Sequence, residues 1–176
     1  MLAQNIRSCH QTLLGLKRAM AEIMFYHLEH KPWEQVLPRQ LSTALERGWR
    51  CIVQVGSESR VEEVSDLLWT SETDPFLTHG TKVDGKADQQ PIWLTAEADN
   101  PNAAKVRFFI EGAPIGDVAG LDRAVILFDG RDQDAVTVAR TEWKRLKAEG
   151  HDISYWQQDE NHRWQNKSKS DGKDSE

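Results

Sequence analysis

The sequence predicts a three-layer α/β domain in which helices cover both faces of a mostly parallel central sheet. Short apolar runs alternate with segments of helical periodicity from residue 23 to residue 156, which is typical of layered α/β folds. One run, WRCIVQV at 49–55, is almost continuously apolar, as expected of a strand buried on both faces. A chain of 176 residues, 39% of them hydrophobic, is long enough to bury one such core.

The first half of the chain contains two strand and helix pairs. Apolar and aromatic runs predict the strands, and apolar residues at helical spacing predict the helices. Pro38 is suited to the first position of a helix, where the N–H that proline lacks would have no partner, and Gly48 is suited to end that helix. The predicted elements are a strand at 23–28, a helix at 38–47, a strand at 49–55 and a helix at 59–69.

The second half begins with a long loop and then returns to strands. Residues 70–90 contain Asp74-Pro75 and glycines, which favour turns. After this loop, the predicted elements are strands at 92–95, 106–110, 124–129 and 152–156, with a helix at 135–150 before the last strand. The alternation of strands and helices favours a parallel sheet with crossover connections.

Parallel α/β sheets often bind nucleotides, but this chain lacks the glycine loops of such sites. The turn after the first strand, HLEHKPWEQ, contains no glycine, and the turn after the second contains Gly56 alone. Neither G-x-G-x-x-G nor G-x-x-x-x-G-K-[ST] occurs in the sequence. Without these glycines the backbone cannot approach a pyrophosphate closely, so a nucleotide cofactor is not expected.

Three aspartates follow the strand at 124–129 and define an alternative function. Asp129, Asp132 and Asp134 cluster at the carboxyl end of that strand, where α/β enzymes place metal ligands or acid and base groups. A metal-dependent enzyme acting on a phosphate or nucleic-acid substrate is the function that this cluster would support. The plainer interpretation is a glycine-containing turn that leads into a helix whose first turn favours acidic residues. His27 and His30 are three residues apart, but no further ligands are spaced to join them in a metal site.

Composition excludes several other classes of protein. The net charge of -6 gives the chain as a whole no attraction for nucleic acid, so no direct contact with nucleic acid is expected. No apolar run is long enough for a membrane span, and the N-terminus lacks the pattern of a signal peptide, which predicts a cytoplasmic protein. The two cysteines, Cys9 and Cys51, cannot form a disulfide framework, and Cys51 is expected to be a buried thiol because it lies in an apolar run.

The two ends of the chain differ from the middle. Residues 159–176, DENHRWQNKSKSDGKDSE, contain one apolar side chain and many charges, so they are predicted to be a disordered tail. Residues 1–19 are predicted to be an N-terminal extension, with Met20 as an alternative start of the protein. The expected α/β domain therefore comprises residues 20–158.

The helix at 135–150 carries two stripes side by side. At roughly 100° per residue, an apolar stripe of Val136, Ala139, Trp143 and Leu146 lies beside a cationic stripe. The members of the cationic stripe are Arg140, Lys144 and Lys147. The ordinary interpretation is an amphipathic helix with a solvated basic flank that interacts with the helix dipole. The alternative is a shallow site for an acidic peptide, in which the cations pair with carboxylates and the aromatic ring packs against an apolar anchor.

Several segments of the chain, taken together, resemble a known family. They are FYHL, LLWTSETDPFLTHG, QQPIWLT, FDGRD and EWKRLKAEGHDISYW. In order and spacing they are similar to the chi subunit of bacterial DNA polymerase III, with Trp69, Phe76 and His79 at the family's spacing. The similarity extends from Met20 to about Gln158. The resemblance implies a Rossmann-like sheet without a nucleotide site, no cofactor and no intrinsic catalysis.

The resemblance also implies two protein partners. Within the clamp-loader complex of the polymerase, chi subunits bind the psi subunit, and they hold the acidic, Phe-ending C-terminal tail of single-stranded DNA-binding protein. The family's tail site corresponds to Arg140, Trp143, Lys144 and Trp69 in this chain, and Lys147 extends the basic stripe. The two tryptophan rings are expected to hold the terminal phenylalanine of the tail. Phe76 corresponds to the apolar surface that joins psi, unless the ring simply folds its loop back onto the domain.

Two departures from the family pattern lie on this helix. Val136 occupies a position where enteric members carry a further basic residue, and Trp143 occupies a position where tyrosine is common. The first departure leaves open how many acidic groups of the tail are contacted. The second changes mainly the shape of the aromatic surface.

Overall fold

One sheet of eight strands organises the part of the chain that the computed structural model describes, residues 20–71 and 76–169. The strands are β1 (Glu22–Leu28), β2 (Cys51–Gln54), β3 (His79–Gly80), β4 (Ile92–Thr95), β5 (Val106–Phe109), β6 (Arg123–Asp129), β7 (Asp152–Gln158) and β8 (Trp164–Asn166). Their order in the sheet is β3-β4-β2-β5-β6-β1-β7-β8. Every adjacent pair is parallel except β7 and β8. The prediction of an α/β fold with a mostly parallel sheet is confirmed.

Helices cover both faces of this sheet. They are α1 (Trp33–Glu46), α2 (Glu58–Trp69) and α3 (Gln133–Ala148), and single 3-10 turns lie at Ala87–Gln89 and Lys167–Lys169. The helices α1 and α2 pack in one apolar cluster, whereas α3 packs in a second cluster. The connection from β1 to β2 runs towards the β3 end of the sheet, and the connection from β6 to β7 runs towards the β8 end. Since such crossovers are right-handed, they place α1 and α3 on opposite faces.

The strand β1 contributes to both apolar clusters. Ile23 and Phe25 pack on the α3 side of the sheet, whereas Tyr26 and Leu28 pack on the side of α1 and α2. This alternation follows from the two-residue period of a strand. Because β1 pairs with both β6 and β7, it is an interior strand, which explains why its sequence is apolar on both faces.

The first helix begins earlier than the sequence predicts. It starts at Trp33 with Pro32 in the capping position, and Pro38 lies inside the helix. Proline there removes one hydrogen bond of the helix ladder and crowds the preceding turn. The prediction that Pro38 starts the helix is therefore wrong. Val36 and Leu37 are buried in the core, so folding the turn before Pro38 removes enough apolar surface from water to offset that cost.

The structure also corrects the prediction of a disordered tail from Asp159. The chain turns at Asp159, whose carboxylate accepts hydrogen bonds from the backbone N–H groups of Asn161 and Arg163. It then returns as β8, antiparallel to β7. The Trp164 ring packs edge-on against Tyr26, with a centroid distance of 4.8 Å. A single large aromatic and a tight turn thus order a segment whose average composition is polar. Residues 170–176 of the predicted tail and the predicted extension at 1–19 lie outside the described residues.

Two further predictions concern burial and the membrane. The Cys51 side chain is completely buried in β2, as predicted, and burial raises the pKa of its thiol to about 12. A thiol with such a pKa is not ionised at neutral pH, so it is not a nucleophile. Among the helices of the described residues, none combines the length and apolar character needed to cross a membrane.

Candidate peptide-binding site on the last helix

The helix α3 is fixed at its N-terminus and along its apolar stripe. The Asp132 carboxylate caps the helix by accepting hydrogen bonds from the backbone N–H groups of Asp134 and Ala135, at 2.9 and 3.3 Å. Val136, Ala139 and Leu146 are buried against the sheet. The apolar stripe predicted from the sequence therefore faces the core, and the cationic flank beside it faces outwards.

Trp143 lies at the edge of this core. Its ring contacts Phe25 of β1, with a centroid distance of 5.4 Å, and Tyr155 of β7 in an edge-on arrangement at 5.9 Å. The side chain is partly buried, so part of the ring remains accessible next to the cationic flank. Because the ring is held between α3 and two strands, it forms a rigid apolar surface.

The three cations of the flank are exposed. Arg140, Lys144 and Lys147 form no ion pair with any carboxylate of the described residues. Arg145 on the same helix differs, because it pairs with Glu142 and Glu149 at 2.7 Å each. The positive charge of the flank is thus available to a ligand, whereas that of Arg145 is neutralised within the helix.

Tyr155 is a residue of this surface that the sequence analysis missed. Its hydroxyl lies 2.6 Å from His27 Nδ1, and its ring packs against Trp143. Burial raises the pKa of Tyr155, and the charge of Arg140 acts in the opposite direction, which shows that Arg140 lies near the hydroxyl. The signal was present in the sequence, since Ile153 and Tyr155 are two residues apart in a predicted strand, and residues at that spacing lie on one face of the strand.

The structure separates Trp69 from the cationic flank. Trp69 ends α2, and its ring lies 4.6 Å from that of His79 in β3. Trp143 packs on β1 and β7, near the end of the sheet opposite to β3. The helix α3 that carries Trp143 also lies on the opposite face of the sheet from α2, which carries Trp69. Five strand spacings separate β3 from β1, or about 24 Å. The expectation that Trp69 and Trp143 hold one phenylalanine ring is therefore wrong.

Trp69 instead contacts His79 of β3, and Phe76 lies three residues before His79 in the chain, so we call Trp69 and Phe76 the β3-edge surface. The exposed fractions of Trp69 and Phe76 are 55% and 80%, whereas the adjacent Leu77 is buried. His79 connects the two, because it follows Leu77 in sequence and its ring contacts Trp69. His79 itself is held by Leu77 O at 2.7 Å and Ser65 Oγ at 3.0 Å, so it is a structural residue of this edge. The largely exposed ring of Phe76 does not support the alternative that it packs into the core.

Comparison with known families decides what kind of protein carries these two surfaces. A sequence model described as DNA polymerase III chi subunit, HolC, matches residues 20–154. The chain belongs to this family. A curated relative from Rickettsia prowazekii (strain Madrid E), named "Probable DNA polymerase III subunit chi", is 24% identical over 109 residues, which are 62% of this chain and 66% of the relative. The chain thus spans just under two thirds of that relative's length. The resemblance stated from the sequence is therefore confirmed.

Two of the three aspartates of this chi-family chain, Asp129 and Asp132, have structural partners. Asp129 accepts hydrogen bonds from the Arg131 guanidinium at 2.8 and 2.9 Å, and this interaction is the main cause of its lowered pKa. Asp132 caps α3, and Asp134 lies in the first helical turn. The described residues contain no group of three or more His, Cys, Asp or Glu side chains that could hold a metal ion. These observations favour the turn interpretation over the metal-dependent enzyme.

His27 and His30 of this chi-family chain also have other contacts. The His27 ring packs on Phe128 and is hydrogen-bonded to the Tyr155 hydroxyl. The His30 ring instead contacts that of His162, with a centroid distance of 5.0 Å. Gly130 approaches His27 so closely that a Cβ at this position would lie 1.7 Å from the imidazole Nε2. The glycine of the FDGRD turn is therefore required by packing against His27, and the two histidines do not share a site.

Proposed function

We propose that this chi-family chain is a non-catalytic adaptor of the replisome that holds the acidic, Phe-ending C-terminal tail of single-stranded DNA-binding protein on the flank of α3. One observation carries the proposal. A protein of net charge -6 presents three exposed cations, which form no ion pair within the described residues, beside a partly exposed tryptophan. An acidic peptide with an aromatic end complements both parts of this surface.

The chemistry of each side chain suggests its role. The Arg140 guanidinium can donate two parallel hydrogen bonds to the terminal carboxylate of the tail. Lys144 and Lys147 act as point charges for its aspartates, one and two turns further along the helix. The phenylalanine ring packs on Trp143 and Tyr155, which meet edge-on at 5.9 Å. Tyr155 thus takes the place that the family resemblance assigns to Trp69.

The second partner in this proposal is the psi subunit of the clamp loader or its equivalent, which binds the β3-edge surface. Trp69 and Phe76 expose 55% and 80% of their surfaces, and large exposed aromatics are typical anchors of protein interfaces. Because α2 and α3 lie on opposite faces of the sheet, the two partners would not compete for the same surface.

Titration of the full chain with a synthetic acidic peptide ending in Phe tests the tail site. A few charge-assisted contacts and one aromatic anchor predict a Kd on the order of micromolar that rises with salt, since the charges are exposed. Arg140→Ala and Lys144→Ala are each expected to weaken binding by roughly fivefold to tenfold without changing the Tm. Lys105→Ala is the matched control, because Lys105 is exposed and lies at the start of β5.

Amidation of the peptide's terminal carboxylate identifies the partner of Arg140. The amide should weaken binding strongly to the unsubstituted protein and much less to Arg140→Ala, which is the result expected of a coupled pair. If Arg140→Ala and Lys144→Ala bind the peptide as tightly as the unsubstituted protein does, the basic flank is only a solvated face and the tail site lies elsewhere.

A further inference from the structure

A second cationic surface lies on the face of the sheet opposite α3. A groove of about 360 Å³ runs along α1, over β1 and β6, and ends at Trp164 of β8. We call it the α1 groove. Its main side chains are Lys31, Arg39, Arg47, Arg123, Tyr26 and Trp164. The groove shares no residue with the proposed tail site or with the β3-edge surface, so neither proposed partner accounts for it.

The charge of the α1 groove is opposite to that of the whole chain. Four cations line it, and none of the described residues that line it is aspartate or glutamate. Lys31 and Arg39 are exposed and form no ion pair within the described residues, whereas Arg123 pairs with Glu22. Lys31 and Arg39 therefore provide positive charge that the protein does not neutralise.

A regular ridge of α1 forms one wall of the groove. Gln35, Arg39, Thr43 and Arg47 are spaced four residues apart and lie one above another on the helix surface. Gln40 lies beside this ridge, and its buried Oε1 has no hydrogen-bond donor among the described residues. The wall thus combines cations with amide and hydroxyl groups that both donate and accept hydrogen bonds.

Aromatic rings form the rest of the groove. The Tyr26 ring stacks with that of Trp156 at a centroid distance of 6.0 Å, and it packs edge-on with Trp164 at a centroid distance of 4.8 Å. Trp49 has the guanidinium groups of Arg47 and Arg123 near its ring, each 5.2 Å from the centroid. Tyr26, Trp49 and Trp164 are partly buried, which holds the rings in place while leaving an edge or face to the groove.

We propose that the α1 groove binds a short stretch of single-stranded nucleic acid. Phosphates lie at Lys31 and Arg39, and a base packs against the aromatic rings with its edge towards the amides of α1. Cations interleaved with aromatics are the general means of binding single strands. The groove is near the lower limit of ligand pockets, which suits one nucleotide unit. A nucleobase offers a flat face to the rings and a hydrogen-bonding edge to the amides, next to the phosphate that the cations take, so one nucleotide unit matches all three parts of the groove.

The net charge of -6 does not prevent this contact. At physiological ionic strength, charges more than about 8 Å apart are largely screened, so the groove's own cations dominate the field there. The expectation that the chain makes no direct contact with nucleic acid rested on the whole-chain charge and did not consider such local clustering.

Fluorescence anisotropy of a labelled ten-nucleotide oligothymidine, titrated with the full chain at low salt, tests the proposal. Arg39→Glu should weaken binding by about tenfold, because it removes one phosphate contact and adds repulsion. Lys86→Glu is the matched control, because it makes the same change of net charge at an exposed residue outside the groove and outside both proposed protein sites. Each phosphate contact of a single strand contributes a salt slope of about -0.7, so two contacts predict a slope of about -1.4.

The acidic Phe-ending peptide and free thymidine monophosphate separate the remaining outcomes. Arg39→Glu should keep the affinity of the unsubstituted protein for the peptide, which shows that it is folded and that the two sites are independent. Weak displacement of the oligonucleotide by the monophosphate supports a strand as the ligand. Displacement at equal concentration by the monophosphate would identify a free-nucleotide site, and such displacement by the peptide would identify an acidic-peptide site. Either result overturns the proposal, as does oligonucleotide binding that Arg39→Glu leaves unchanged.

Discussion

At the scale of single residues, the neighbours one helical turn away decide which cations can bind a ligand. Arg145 has Glu142 three residues before it and Glu149 four residues after it, and it pairs with both. Arg140 has Val136 four residues before it and Lys144 four residues after it, so no carboxylate of α3 is placed to neutralise it. This difference can be predicted from the sequence once the helix is recognised, which is why the basic flank could be located without coordinates.

The Asp129 and Arg131 pair predicts a pH effect at the residue scale. The Arg131 guanidinium lowers the pKa of Asp129 in the folded protein. A lowered folded-state pKa contributes stability above the ordinary pKa of aspartate, and that stability is lost as the pH falls through the lowered value. Arg131 is exposed and Asp129 is partly exposed, so solvent screens the pair and the contribution is small.

NMR titration of the carboxyl groups measures this effect. Arg131→Ala should raise the pKa of Asp129 towards its ordinary value. Asp84 is the control, because its pKa is lowered mainly by hydrogen bonds from Thr81 and should not change. An unchanged pKa of Asp129 in Arg131→Ala would contradict the pairing and would leave Asp129 open to other roles.

At the scale of elements, the accuracy of the sequence analysis depended on how local the stabilising contacts are. The helix α3 and the strand β4 were predicted within two residues because their apolar spacing and turn residues are local signals. The start of α1 depends on burial of Val36 and Leu37, and β8 depends on contact between Trp164 and Tyr26. Contacts between residues far apart in sequence are not visible in local composition, so both elements were misjudged.

The strand β8 is therefore expected to contribute to stability. Trp164→Ala removes a partly buried ring from Tyr26 and should lower the free energy of unfolding by about 2 kcal/mol, and the Tm by roughly 4–8 °C. Gln165→Ala is the control, since Gln165 lies on the same strand with an exposed side chain. Differential scanning calorimetry of the full chain checks both variants. Equal Tm values for Trp164→Ala and the unsubstituted protein would show that residues 159–169 do not stabilise the domain.

At the scale of the whole molecule, the strand order determines which predicted site residues can act together. Trp69 and Trp143 each lie where local periodicity places them, at the end of α2 and on the core edge of α3. Their separation follows only from the order of the strands and the opposite directions of the two crossovers. Tyr155 lies beside Trp143 for the same reason, because β7 is the strand that follows α3. The sequence thus predicted the exposed cations of the proposed tail site but not the aromatic residue that lies beside Trp143.

Because the two proposed surfaces are separate, we expect the psi subunit and the tail of single-stranded DNA-binding protein to bind this chain at the same time. Phe76→Ala and Trp69→Ala should each weaken binding of the psi subunit by about tenfold, since exposed aromatic anchors carry much of an interface's affinity. Both variants should leave the affinity for the acidic peptide unchanged, whereas Arg140→Ala should have the opposite pattern. Saturating peptide should not change the affinity for psi, because the surfaces share no residue and the coupling free energy between them is then close to zero. Surface plasmon resonance measures the affinity for psi, the affinity for the peptide, and the affinity for psi at saturating peptide. Loss of peptide binding in Trp69→Ala, with an unchanged Tm, would return Trp69 to the tail site and contradict the separation of the two surfaces.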